Sequence, residues 1–297
     1  MKLNRIISAG LLLASFATTQ AMATNDWYVS TTGNDTAAGS QAAPWRTIQH
    51  AINNSSNHDN INVAAGIYLE NLVASGHSLQ FYGAIGQNPP YVELGVTVTA
   101  QTIVQPPAGG SVVSTVGSNN INLTFDNFVF KGGTGTNEGT GNFGGGIYVN
   151  DNCSINLYNC LLATNTATDG GGIFVENGSG AGLKMCIIAG CGAPYAPALH
   201  NYPPNDASYV ILDDVAICGN TGGTPQILGP VTIQGPHHQA NVCDHADVDQ
   251  DGDVDTDDLN ALHDELGIEL TDVNNNGCVD IDDLLLVIED WNEGCTP

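Results

Sequence analysis

Two stretches near the C-terminus place oxygen-bearing side chains at the spacing of a calcium loop. In the first, Asp247, Asp249, Asp251, Asp255 and Asp258 fall where side-chain ligands are needed, Gly252 at the sharp turn, and Asp253 where the backbone carbonyl serves. The second starts 25 residues on with Asp272, Asn274 and Asn276, then Gly277, the carbonyl of Cys278, Asp280 and Asp283. Calcium is a hard cation that gathers about six to eight oxygens, and this winding supplies them. The closing residue is Asp in both loops, a shorter reach than Glu.

Each loop leads into a helical pattern. Leu259, Leu262 and Leu266 form one apolar stripe, and Leu284, Leu285, Ile288 and Trp291 a second. Residues 229–246, with Pro230, Gly235, Pro236, His237 and His238, do not read as an entering helix. Loop-helix, twice, without an entering helix, resembles a type I dockerin over 243–297. The resemblance implies calcium as the bound ion and a cohesin-like scaffold or cell-surface receptor as partner. The partner-facing pairs would be Thr256-Asp257 and Ile281-Asp282, of which only Thr256 matches the usual hydroxyl pattern. It also implies that the ends of the module lie close together, so that Cys243 and Cys295 could clasp it.

The opposite end reads as an address. Lys2 and Arg5 precede an apolar run from Ile6 to Phe16, and Ala21 and Ala23 offer small residues for cleavage. Residues 1–23 are therefore expected to be a signal peptide, and the protein to be secreted, extracellular or at the cell surface. No later apolar run is long enough for a membrane span. Without 1–23, three basic residues face all 31 acidic ones, a formal charge of −28, and 18 of the acids lie in 243–297. Such a surface repels nucleic acid and other polyanions.

Between these ends the chain repeats. Gly144-Gly145-Gly146-Ile147-Tyr148-Val149 recurs 26 residues on as Gly170-Gly171-Gly172-Ile173-Phe174-Val175. The segment Leu157–Ala163 recurs as Leu183–Ala189, again 26 residues on, with looser copies from Leu212 and Leu123. Short β-branched runs between Gly, Asn, Asp and Thr turns leave no room for helices, which predicts a solenoid of stacked coils. Cys160 would lie over Cys186 and Ile147 over Ile173 in interior columns, the cysteines packing as free thiols.

These repeats resemble the right-handed parallel β-helix of the pectate-lyase-like superfamily. The segments Trp27–Asp35, Ala43–Ile52 and Ile61–Asn71 resemble the opening of secreted β-helix proteins, where a strand, a small capping helix and a first coil close the end of the stack. The expected organisation is therefore a β-helix over 24–235, a linker over 236–242 and the dockerin-like module over 243–297. The resemblance implies extracellular polysaccharide as substrate or ligand. A lyase needs a base, and the basic residues after 23 are Arg46, Lys131 and Lys184. Arg46 falls in the capping motif, and Lys184 is placed by alternation on an outward face. A hydrolase needs carboxyl groups. Asp213-Asp214 is the adjacent acidic pair of the stack, though both face one cleft only if the strand bends there. Asp169 and Glu176 flank the second Gly-Gly-Gly motif and could line a turn. His200, Tyr195 and Tyr202 fall in a proline-rich stretch read as a loop, where the tyrosines could stack on a sugar. A non-catalytic surface or adhesion protein is the competing reading.

Overall fold

The computed structural model describes residues 24–240 apart from 75, 85–100, 116, 118–119 and 203–207, and for 235–240 the backbone alone. The leader, both calcium loops and the Cys243–Cys295 pairing lie outside the described residues.

The chain winds as a parallel β-helix. Each coil lays down three short strands. The first face stacks Asp26–Val29, Asn60–Val63, Leu79–Tyr82, Asn122–Asp126 and Ser154–Tyr158. The second stacks Gly66–Tyr68, Thr102–Val104, Phe128–Lys131 and Leu161–Ala163. In the later coils the two faces run together in the long strands Gly180–Ala189 and Tyr209–Cys218. The third face stacks Leu72–Val73, Val113–Ser114, Ile147–Val149, Ile173–Val175, Leu199–Asn201 and Ile227–Leu228. The register bears out the repeat: Ile147 pairs with Ile173 and Leu157 with Leu183. The earlier copy is displaced. Leu157 pairs with Phe125, and Leu123 with Ile155.

Alternation sends every second side chain inward. Ile61, Phe81, Phe125, Leu157, Leu183 and Leu212 form one continuous interior column. Phe81 and Phe125 stack at 4.3 Å within it. Cys160 and Cys186 are buried free thiols, as expected, and burial holds the Cys160 thiol well above its ordinary pKa. Cys218 is disulfide-bonded. The bend between the first and second faces is made by Asn127, Asn159, Met185 and Asp214, all at positive φ (51–64°). Asn165, fully buried at the next corner, accepts from Gly133 N and donates to Phe130 O, so that the turn's polar groups are satisfied.

The glycine triplets have two jobs. Gly144 and Gly170 take positive φ (58° and 60°), which favours glycine. The others are needed for space: a Cβ on Gly171 would lie 2.6 Å from Pro197 O, and one on Gly172 would collide with Ala198 O.

The N-terminal end is capped as the sequence predicts. Helix Ile48–Asn54 buries Ile48, Ala51 and Ile52 against the first coil. Thr47 Oγ1 accepts from His50 N, while the Glu70 carboxylate accepts from Ile48 N and Gln49 N. Asp35 accepts from the backbone of Arg46 and Thr47, so Arg46 serves the cap through its N–H while its side chain is exposed. At the other end, strand Thr232–Ala240 runs on into the segment read as a linker, and His238 pairs with Val215. No described helix is long and apolar enough to cross a membrane.

Candidate functional site

On the third face the outward residues of three successive coils are Tyr148, Phe174 and His200, in register with one another. Outward residues of a solenoid usually meet water, yet these are almost fully buried. The Gly-Thr-Asn-rich insertion explains part of this. It forms a hairpin pairing Thr136 with Phe143 and Asn137 with Asn142. Its Phe143 ring lies 4.9 Å from Phe174 and 6.5 Å from Tyr148. Tyr202, 44% exposed, stacks on Phe174 at 6.0 Å.

Between them lies a cleft of about 370 Å³, lined by Glu138, Thr140, Phe143, Tyr148, Asn150, Asp169, Phe174, Glu176, Asn177 and Tyr202. Three carboxylates reach it from three structures: Glu138 from the hairpin, Asp169 from the turn before the third face, Glu176 from the turn after it. Two are held by neighbours. His200 Nδ1 lies 2.7 Å from Asp169 Oδ1. Tyr148 donates its hydroxyl to Glu176 Oε1, and Asn150 Nδ2 donates to the Tyr148 oxygen at 3.2 Å. Burial, reinforced by Glu176, raises the Tyr148 pKa far above that of an ordinary tyrosine, so the hydroxyl remains a donor. No three of the described His, Cys, Asp and Glu side chains form a group that could hold a metal ion.

The sequence-derived candidates divide between two faces. Tyr202 lines the cleft, and His200, its ring 5.4 Å from that of Tyr202, meets the cleft through Asp169. His200 sits on strand Leu199–Asn201 rather than in a loop. Tyr195, 62% exposed, is joined to Asp169 by a parallel backbone bridge and does not line the cleft. Lys184 and Asp213 meet on the first face instead, Nζ to Oδ2 at 2.7 Å and both solvent-accessible. That pairing raises the lysine's pKa, which opposes use as a base. Asp214 occupies the bend at φ 57°, where a bulge interrupts the pairing after Asp213. The bend therefore exists, but it turns Asp213 and Asp214 toward solvent, not into the cleft. Asp169 and Glu176 line the turns that flank the repeat, as their positions suggest. Glu138 escapes sequence reading, because only the fold of the insertion brings it to the same place.

A family model described as a protein of unknown function, DUF1565, matches residues 31–75, the capping segment and first coil. No curated protein matches the chain. Among solved structures, the GH136 lacto-N-biosidase from Eubacterium ramulus is similar at 11% identity and a TM-score of 0.35. The alignment covers 66% of this chain and 44% of that one. A likeness of that size says nothing about what this chain acts on.

Proposed function

We propose that this chain is a secreted glycan-active protein whose third-face cleft hydrolyses glycosidic bonds in extracellular polysaccharide. The observation that supports this reading is the convergence of Glu138, Asp169 and Glu176 with the rings of Phe143, Tyr148, Phe174 and Tyr202 in one cleft. Glycoside hydrolysis uses one carboxyl group to protonate the leaving oxygen and another to activate water or attack carbon. Aromatic walls supply flat apolar surface for the sugar rings. Its volume suits a small-molecule portion of a larger chain.

In this reading Glu176, held by Tyr148, is the carboxylate that acts at the anomeric carbon. Asp169 delivers the proton to the leaving oxygen, and His200 resupplies it through their shared contact. The Lys184 and Asp213–Asp214 group takes no part in the chemistry. The stack is of the right-handed, pectate-lyase-like type that its repeats resemble. The dockerin-like segment 243–297 binds calcium through its two loops and anchors the stack to a cohesin-like scaffold or surface receptor.

The test is product analysis on a panel of neutral and acidic glycans. Hydrolysis releases reducing ends without ultraviolet-absorbing unsaturated ends. Unsaturated ends would establish a lyase, and binding without any turnover would establish an adhesion role; either outcome removes this reading.

A further inference from the structure

A second feature lies on the first face, away from the cleft. Its outward residues at the edge beside the bend are, coil by coil, Tyr28, Asn62, Tyr82, Asp126 and Tyr158. Tyrosine thus recurs at every second coil. Neighbouring coils are ~4.8 Å apart, so these rings stand ~10 Å from one another along a line. Tyr82 and Tyr158 are each 39% exposed, and on the same face Tyr209 is 48% exposed outside this line. A groove of about 530 Å³ runs beside the line and is bordered by Tyr28, Asn62, Tyr82 and Asp126. Tyr82 is steadied by donating its hydroxyl to Gln80 Oε1 at 2.9 Å. Asp126 accepts from Asn159 Nδ2 at 2.9 Å. Polar amides fill the parallel column: Asn60, Gln80 and Asn156, with Thr124 among them.

We propose that Tyr28, Tyr82 and Tyr158 form a track that binds an extended, uncharged polysaccharide by stacking alternate sugar rings on alternate coils. The inference deepens the glycan reading above and rests on it for the class of ligand. Regular spacing fits a polymer with its own regular repeat, and amides beside the rings suit hydroxyl-rich partners. Charge selects the class further. The column continues beyond Tyr158 as Lys184 and Asp213, which neutralise each other. The lone carboxylate on the track, Asp126, disfavours a polyanion. The track would hold the polymer while the cleft on another face cuts a separate strand or a free end.

Native affinity electrophoresis of the full chain tests this, in a Glu176→Gln background so that no polymer is degraded. The gels contain hydroxyethyl cellulose, xylan, glucomannan or, as the polyanion, polygalacturonate. The expected result is retardation by at least one neutral polymer, weakened about ten-fold in Tyr82→Ala/Tyr158→Ala, since each ring contact contributes a modest increment. The Phe pair at the same positions keeps most of the binding, which also shows that the face still folds. Retardation by polygalacturonate alone, by no polymer, or equally with and without the two rings overturns the track. Failure here leaves turnover at the cleft untouched, and failure of turnover leaves this binding measurable.

Discussion

Tyr148 and Glu176 belong to successive coils, and the tyrosine hydroxyl donates to the glutamate across the step between them. The contact is possible because Tyr148 is the outward residue of its strand while Glu176 directly follows the strand above. Tyr148→Phe keeps the ring and removes the donor. It is expected to lower turnover about ten- to a hundred-fold and also to cost up to about 1.5–3 kcal/mol of stability, the contribution of a hydrogen bond to a charged group. Steady-state kinetics alongside a thermal melt would separate the two effects.

Gly172→Ala should be far more damaging to stability than its size suggests. The new methyl would meet the Ala198 carbonyl oxygen of the next coil, backbone that cannot swing aside. The expected cost is about 3 kcal/mol or more. Urea unfolding of the variant would measure it, and a stability near wild type would mean the coils are less tightly stacked than described.

Acid should loosen the N-terminal cap. Burial tends to raise the Asp59 pKa, but donors from Asn25, Ser56 and Trp27 outweigh it and hold the pKa below the ordinary carboxylate value. Asp35 is likewise lowered, its burial outweighed by Thr47 and Arg46. A group with a lowered folded pKa contributes stability above its unfolded value and loses it as pH falls through the folded one. That places the loss below about pH 4. Glu70 acts in the opposite sense. Burial raises its pKa, so its contribution is largest in acid and declines as pH rises through the raised value. Melting temperatures between pH 2.5 and 6 should fall with acid, and Asp59→Asn should flatten that slope.

Calcium should stabilise the C-terminal segment. Its 18 acids repel one another, and ligand binding to the folded form alone adds ~2.7 kcal/mol at a hundred-fold excess over Kd. Helix signal in circular dichroism of the full chain should rise with calcium, fall with a chelator, and stop responding in Asp247→Ala/Asp272→Ala.

The stack was legible because its repeat is a physical register: residues 26 apart, such as Leu157 and Leu183, are neighbours in the column. The looser copy at Leu123 stands two residues out of register with Leu157, whose partner is Phe125. Side chains alternate with period two, so that slip leaves the inward face unchanged and is silent in the pattern. His200 was hidden among Pro194, Pro197 and Pro203, which disguise a three-residue strand as loop. Asp169 and Glu176 were visible as flanks of a motif. Their partnership with Glu138 was not, because a hairpin that breaks the repeat delivers the third carboxylate. Lys184 and Asp213 are distinguished in the sequence by charge alone, and the parallel register makes them partners of each other.

The most direct test compares hydrolysis of a short neutral oligosaccharide by wild type, Glu176→Gln and Lys184→Met. The cleft account predicts a fall of about 10²- to 10⁴-fold in Glu176→Gln, the scale of a lost acid–base group, and a nearly unchanged rate in Lys184→Met. Full activity in Glu176→Gln with collapse in Lys184→Met would contradict it and place the chemistry on the first face.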